Sequence, residues 1–270
     1  MKRRTAFVTG SSRGIGRAIA LKLASAGANV VIAAKTTDPH PKLEGTIFSV
    51  AEEVEKAGGK ALPVQLDIRD EANVESAIAQ TVKHFGSLDI LVNNASAINL
   101  SDTPSIPMKR YDLINNINTR GTFMVSKYAI PFLKKGNNPH ILNLSPPLNL
   151  KPEWFGAHLA YTMSKYNMSL IALGLSNELK PHSIAVNALW PKTVIATAAI
   201  KYALGGDEMM KHGRVPEIMA DAAFEIFNSP SADCTGNFFI DEHLLRTKGY
   251  TDFDRYAVDL SKELQPDLFV

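Results

Sequence analysis

One cysteine, Cys234, in a chain of 270 residues excludes an internal disulfide framework and a thiolate-rich zinc site, and it suits a reducing compartment. An excess of charge of either sign is missing too. Lys and Arg number 29 against 27 Asp and Glu, a formal net charge of +2, so a dedicated nucleic-acid binder is not expected. The seven histidines form no HExxH or comparable pair, and no metal site is expected. No apolar run approaches the roughly 20 residues of a membrane span. Met1-Lys2-Arg3-Arg4 leads straight into a strand-like TAFVT rather than a signal-peptide core, and the closing Asp267-Leu268-Phe269-Val270 is not a peroxisomal address. The expectation is a soluble, cytoplasmic protein without repeats, low-complexity tracts or interdomain linkers.

What the chain does have is alternation. Short β-branched runs at Thr5 to Val8, Asn29 to Ala33, Ala61 to Leu66, Ile90 to Val92, His140 to Leu144, Ile184 to Leu189 and Gly236 to Ile240 read as strands. Between them Ile15 to Ala26, Ile47 to Ala57, Ala72 to Phe85, Tyr111 to Leu133, Tyr161 to Leu179 and Ile218 to Phe227 carry apolar residues at helical spacing. Parallel strands need crossovers on both faces, so the pattern predicts an α/β fold: a doubly wound three-layer sandwich around a seven-stranded parallel sheet. With 45% hydrophobic residues the chain can fill such a core as one unit over 1–270, with 241–270 a polar and aromatic C-terminal tail of no assigned structure. Three irregular stretches, Lys35 to Thr46, Pro146 to His158 and Lys192 to Val215, follow strand C-termini, where open α/β sheets bind their ligands.

TGSSRGIG (Thr9 to Gly16) follows the first strand and opens the first helix, which places backbone N–H groups and a helix N-terminus where a pyrophosphate can sit. Gly10, Gly14 and Gly16 let the chain turn and approach closely. Their spacing is GxxxGxG rather than the general GxGxxG, and the bland alternative is an ordinary glycine-rich turn. Roughly 20 residues further on, where a carboxylate would receive a ribose hydroxyl, stands Ala33-Ala34-Lys35-Thr36. Lys35 and Arg13 would offer a 2′-phosphate two cations, which favours NADP(H) over NAD; the alternative is two solvated surface charges. Asp67-Ile68 ends the third strand and either meets the adenine or caps the following helix.

Tyr161-Thr162-Met163-Ser164-Lys165 puts a phenol and an ammonium on one helix face. Reduction of a carbonyl creates an alkoxide that needs a positioned proton donor, and a nearby cation is expected to draw a phenol toward neutrality. Alone this spacing is weak. In chain order, however, TGxxxGxG, Asp67-Ile68, Asn93-Asn94-Ala95, Asn118 within NTRG, and Tyr161 with Lys165 resemble the short-chain dehydrogenase/reductase family, from Thr5 to about Asp241. Four segments, AAKTTDPHPKLEGTIF, LVNNASAI, LNLSPPLNL and NALWPKT, narrow the resemblance to the reductase domain of its hydroxysteroid dehydrogenase-like members. Without the sterol-carrier domain of animal members, a stand-alone bacterial-type chain is expected.

The resemblance implies a single Rossmann-type, dinucleotide-binding oxidoreductase domain. It implies Tyr161 as acid/base, Lys165 on the nicotinamide ribose and tuning Tyr161, Asn118 holding a relay water, and Asn93 bracing the nucleotide pocket. Further cofactor contacts are expected at Ser12, Ile15, Ala95, Pro191 and Thr193. Three departures stand out. Ser145-Pro146-Pro147 puts proline where a substrate-holding serine normally stands, so that contact comes from Ser145, from Asn149, or from nothing; Pro191-Lys192 replaces Pro-Gly; Asp241-Glu242 replaces a double glycine.

Two functions fit: an NADP(H)-dependent oxidoreductase acting on a carbonyl or hydroxyl of an apolar, lipid-like substrate, or a catalytically weak NADP-binding sensor or scaffold. Trp154, Phe155, Trp190, Ile195, Tyr202 and Leu204 are expected to wall the substrate. Lys151, Lys192 and Lys201 flank them, as an acidic-headgroup site or a solvated rim. The resemblance also implies a homodimer or homotetramer through the helices at Tyr111 to Leu133 and Tyr161 to Leu179.

Overall fold

Strand β1 (Thr5–Thr9) is buried along its whole length, and its side chains alternate: Ala6 and Val8 enter one apolar core while Phe7 enters a second. Strand β2 (Asn29–Ala34) does the same with Val30 and Ile32 against Val31 and Ala33. Strands apolar on both faces need cover on both, and the intervening helices supply it. The computed structural model describes residues 1–270, the side chains of Ala203 and Leu204 excepted. Strands β3 (Lys60–Gln65), β4 (Ile90–Asn93), β5 (His140–Asn143), β6 (Ala185–Trp190) and β7 (Phe238–Ile240) complete one seven-stranded parallel sheet, ordered β3-β2-β1-β4-β5-β6-β7.

The helices are α1 (Gly14–Ser25), α2 (Ile47–Lys56), α3 (Glu71–Phe85), α4 (Met108–Ile114), α5 (Thr122–Leu133), α6 (Glu153–Gly156), α7 (Leu159–Glu178), α8 (Ala198–Ile200), α9 (Gly206–Lys211), α10 (Glu217–Asn228) and α11 (Asp241–Thr247). α1, α2, α10 and α11 fill the core on one face of the sheet; α3, α5 and α7 fill the other. This is the expected doubly wound, Rossmann-type three-layer sandwich. Local chemistry sets several boundaries. Thr46 and Ser49 cap α2 reciprocally, Asp70 accepts the Asn73 N–H at the start of α3, and Gly86 ends that helix at φ 82°. The chain winds from β1 outward to β3 and then returns to β4, which opens a crevice above the ends of β1 and β4.

Two segments differ from the sequence reading. The helix expected over Tyr111 to Leu133 is interrupted by a π-helical stretch, Asn115–Gly121. The wider turn carries Asn118 to the backbone of Ala97, and a Cβ at Gly121 would come within 2.6 Å of Ile68. The tail after Ile240 is built: it forms α11, a 3₁₀ turn at Asp254–Tyr256, and a return that buries Phe269. Among the described residues no helix is long and apolar enough to cross a membrane, and no cluster suits a metal ion.

Candidate active site

A cavity of about 510 Å³ runs over the C-terminal strand ends, from Leu66 after β3 to Trp190 at the end of β6. Its centre is the glycine loop. Gly10 and Gly14 have φ 66° and 56°, which glycine alone adopts without strain, and a Cβ on Gly10 would stand 2.9 Å from Ala95 Cα. Gly16 lies beneath the loop, where a Cβ would overlap the Asn94 amide. Asn94 ties the loop to β4 by donating to the Thr9 and Gly10 carbonyls at 2.8 and 3.1 Å. At the head of α1 no side chain caps the free N–H groups and no acid stands in the first turn. An uncapped helix N-terminus facing a cavity suits an anion, so these residues fit a dinucleotide phosphate.

At the β2–β3 end Lys35 and Arg13 both line the cavity, each already engaged. Lys35 Nζ lies 3.2 Å from Asp67, which also takes the fork of Arg69. Arg69 and then Lys35 hold the Asp67 carboxyl well below the usual range, and the cluster of two cations and one anion stays positive. Arg13 donates to the carbonyls of Glu44 and Gly45, both at 3.0 Å, folding the irregular 35–46 stretch over the loop. A Cβ at Gly45 would overlap the Ser12 carbonyl oxygen, so glycine is required for that approach. Asp70, not Asp67, caps α3.

At the β5–β6 end Tyr161 and Lys165 project from successive turns of α7, 6% and 3% exposed. Lys165 Nζ donates to the Leu144 carbonyl at 2.6 Å and lies 5.0 Å over the Trp190 ring. Burial lowers Lys165 to about 7, against the pull of Asp267. Burial, reinforced by Asp267, pushes the Tyr161 phenol up rather than toward neutrality. The low-dielectric setting penalises the phenolate, and a lysine titrating near 7 offers less positive field than the spacing suggests.

Asn118 is fully buried with its amide spent. Oδ1 accepts from Ala97 N–H (2.8 Å) and Ser96 (3.1 Å), while Nδ2 donates to Ala97 O (2.9 Å) and Ser164 Oγ (3.0 Å). Asn93 donates to Ser126 and Asn143, a buried brace beneath the wall. Ser145 lies off the wall, 1% exposed, with an unpartnered hydroxyl. Asn149 also lies off it, its carbonyl accepting from Tyr166 Oη at 2.6 Å.

The other two departures from the family pattern meet. Lys192 Nζ pairs with Glu242 at 2.9 Å, and the Lys192 N–H donates to Asp241 at 2.9 Å. Glu242 also binds Arg214 and Arg246. The Lys192 carbonyl then receives the Asp267 N–H at 3.1 Å, Thr193 bridges to Pro266, and Trp190 Nε1 donates to Leu268 O at 2.7 Å. The returning tail thus enters the site: Asp267 and Leu268 line the cavity, and Phe269 packs against Trp154, Tyr166 and Trp190.

Of the expected cofactor contacts, Gly10, Ser12, Arg13, Gly14, Ile15, Lys35, Asp67, Ile68, Ala95, Tyr161, Lys165 and Pro191 line the cavity; Gly16, Asn93 and Thr193 support it from behind. The substrate wall needs correction. Trp190 and Ile195 line the cavity, but Trp154 and Phe155 are drawn into the ring cluster around Phe269 and Tyr166. Tyr202 donates to Lys42 O at 2.8 Å on a neighbouring cleft, and the Leu204 side chain lies outside the described residues. Lys151, Lys192 and Lys201 are paired with Glu153, Glu242 and Asp207, and none of the three lines the cavity. The sequence reading missed Asp267 and Leu268, which carry no motif or periodicity. It also missed Thr197, whose methyl packs 3.4 Å from a Cβ position on Gly14.

The family model described as short chain dehydrogenase matches residues 4–203, and the chain belongs to the short-chain dehydrogenase/reductase family, whose members bind nicotinamide cofactors. Within it, the chain is similar to hydroxysteroid dehydrogenase-like protein 2 of Danio rerio: 59% identical over 266 residues, 98% of this chain and 63% of the relative. It thus spans less than two thirds of that relative's length. A crystal structure from Xanthomonas campestris superposes with a TM-score of 0.97 at 51% identity, covering 100% of this chain and 98% of that one. A short chain dehydrogenase from Mycobacterium thermoresistibile gives 0.94 at 50% identity, covering 100% and 95%.

Proposed function

We propose that this oxidoreductase is NADP(H)-dependent and acts on a carbonyl or hydroxyl of an apolar, lipid-like substrate in the cytoplasm. The observation that carries the reading is the placement of Tyr161 and Lys165 on the wall of the cavity that begins at the glycine loop. When bound, the cofactor supplies or accepts the hydride. Tyr161 Oη gives its proton to the substrate oxygen in reduction and takes it back in oxidation. Burial keeps the phenol in its protonated form, the donor in reduction, while raising the cost of the phenolate that donation leaves behind. Lys165, held between Leu144 O and the Trp190 face, orients the ribose and replenishes positive charge beside the phenol. With the Asn118 amide committed to protein partners, a relay water there relies on main-chain carbonyls.

The glycine cradle fits the diphosphate, and the net positive Lys35, Arg69 and Asp67 cluster supports a 2′-phosphate. Leu144, Ile98, Trp190 and Leu268 favour an apolar body. Tyr161→Phe keeps the ring and removes only the hydroxyl. It should leave NADPH affinity nearly intact while ketone reduction falls roughly 10²–10⁴-fold, read as NADPH oxidation against ketones, quinones and long-chain acyl compounds. The second reading, an NADP-binding sensor, draws on Pro146 standing at the family serine's place and on Ser145 not lining the cavity. Tight NADPH binding without turnover of any of these compounds would favour it.

A further inference from the structure

The end of the cavity below Tyr161 is bounded by Leu144, Lys165, Trp190, Asp267 and Leu268. Few polar groups there are free to meet a substrate. Lys165 is directed at the Leu144 carbonyl, Trp190 Nε1 at the Leu268 carbonyl, and the Ser145 hydroxyl lies behind the wall. Apart from Tyr161 and the remaining Lys165 N–H groups, assigned to the proton step and the ribose, Asp267 is the side chain left with hydrogen-bonding capacity. One carboxyl oxygen accepts its neighbour's Leu268 N–H at 2.7 Å; the other has no hydrogen-bond partner among the described residues.

Asp267 is also held firmly. Its N–H is fixed to Lys192 O, Pro266 is bridged to Thr193, and Phe269 anchors the next turn of chain among three aromatic rings. Its surface is half-buried, open to the cavity. A polar group fixed on both sides beside the reacting centre is preorganised at no cost when substrate binds.

We propose that the Asp267 carboxyl is a substrate-contacting group beside the reacting carbon, and that its charge selects neutral apolar ketones and alcohols over 2-oxo and 2-hydroxy acids. This rests on the oxidoreductase reading above. An acid next to the reacting carbon would bring its carboxylate against Asp267, and like charges in a shielded site repel strongly. Asp267 neither gains nor loses a proton in the reaction; Tyr161 carries that step. The titratable groups close enough for their charge to act on Asp267, or its charge on them, are Lys165 and Tyr161 from α7 and Asp241 from the head of α11, while Lys192 and Glu242 are paired with each other. Burial raises Asp267 to about 7. Its charge, and with it the rejection of anions, therefore grows as pH rises from 6 to 8.

Both tryptophans of the chain stand at this end, so quenching of their fluorescence reads binding without turnover. The test measures 2-decanone and 2-oxodecanoate binding to NADP⁺-saturated protein at pH 6 and pH 8, in the parent, Asp267→Asn and Asp267→Ser. At pH 8 the parent should prefer the ketone by about tenfold or more, and less at pH 6. Both variants should bring the preference at pH 8 to within about threefold while NADP⁺ affinity stays within about twofold, which guards against a misplaced tail. Removing Asp267 also removes its upward pull on Lys165, which would weaken anion binding, so a gain of 2-oxodecanoate binding at pH 8 in the variants reports Asp267 itself. An unchanged preference in both variants, or binding of neither ligand by the parent, overturns the proposal. If the preference depends on Asp267 but the parent reduces no ketone, the contact stands and the oxidoreductase reading falls.

Discussion

Lys35 shows what one residue contributes and what its neighbours take back. Its position at the end of β2 was legible, because the strand and the glycine loop fix where a ribose must lie. Its partner was not, because Asp67 is brought alongside only by the β2–β3 pairing. The ion pair to Asp67 competes with a phosphate, yet Arg69 shares the carboxylate and leaves net positive charge. NADPH should therefore bind about tenfold or more tightly than NADH. Lys35→Asp should erase or reverse that preference by placing two carboxylates side by side. Equal affinities in the parent, measured by fluorescence titration at physiological salt, would defeat the assignment. Tyr161 carries the opposite lesson: its place was legible from YxxxK, but its electrostatics were not, since Asp267 from the returning tail adds to the burial that holds it protonated.

At the scale of elements, the strands were readable because each is a short apolar run that both sheet faces bury. The π-helical stretch at Asn115–Gly121 was not, since its cause is a contact with Ala97 on another segment rather than a local preference. Nor was the meeting of the loops after β6 and β7, fifty residues apart, where Lys192 and Asp241-Glu242 replace flexible glycines with a cross-linked joint. Glu242 is the hub. Burial opposes its charge, but Lys192, Arg214 and Arg246 pull its carboxyl down to about 2. Because that value lies below the roughly 4.3 of an unfolded glutamate, the stability it gives is full above that pH and drains away as pH falls toward 2. Glu242→Gln should cost about 3 kcal/mol at pH 7, since it strands the buried Arg214, and lower the melting temperature by roughly 6–12 °C. The variant should also lose less stability than the parent between pH 4.5 and 2. Parallel pH–stability curves for the two proteins would contradict this.

Across the whole molecule, the two cores close the sheet on both sides, yet α5 and α7 still present large apolar side chains to solvent. Phe123, Leu159, Met163, Leu170 and Leu173 are all exposed, and those on α7 fall on one helical face. Such a face fits a second copy of the chain, in keeping with the homodimer or homotetramer that the family resemblance implies. Leu170→Glu should shift the protein toward monomer in light scattering at micromolar concentration while leaving NADPH binding in place. A monomeric parent would remove the basis for this.

Leu268 forms part of the cavity wall, and Val270, two residues on, is exposed. Anything joined after Val270 therefore starts roughly 7 Å along the chain from that wall. A ligand tethered there by a short flexible linker would be held near this end of the domain at an effective concentration in the millimolar range, whatever its concentration in bulk.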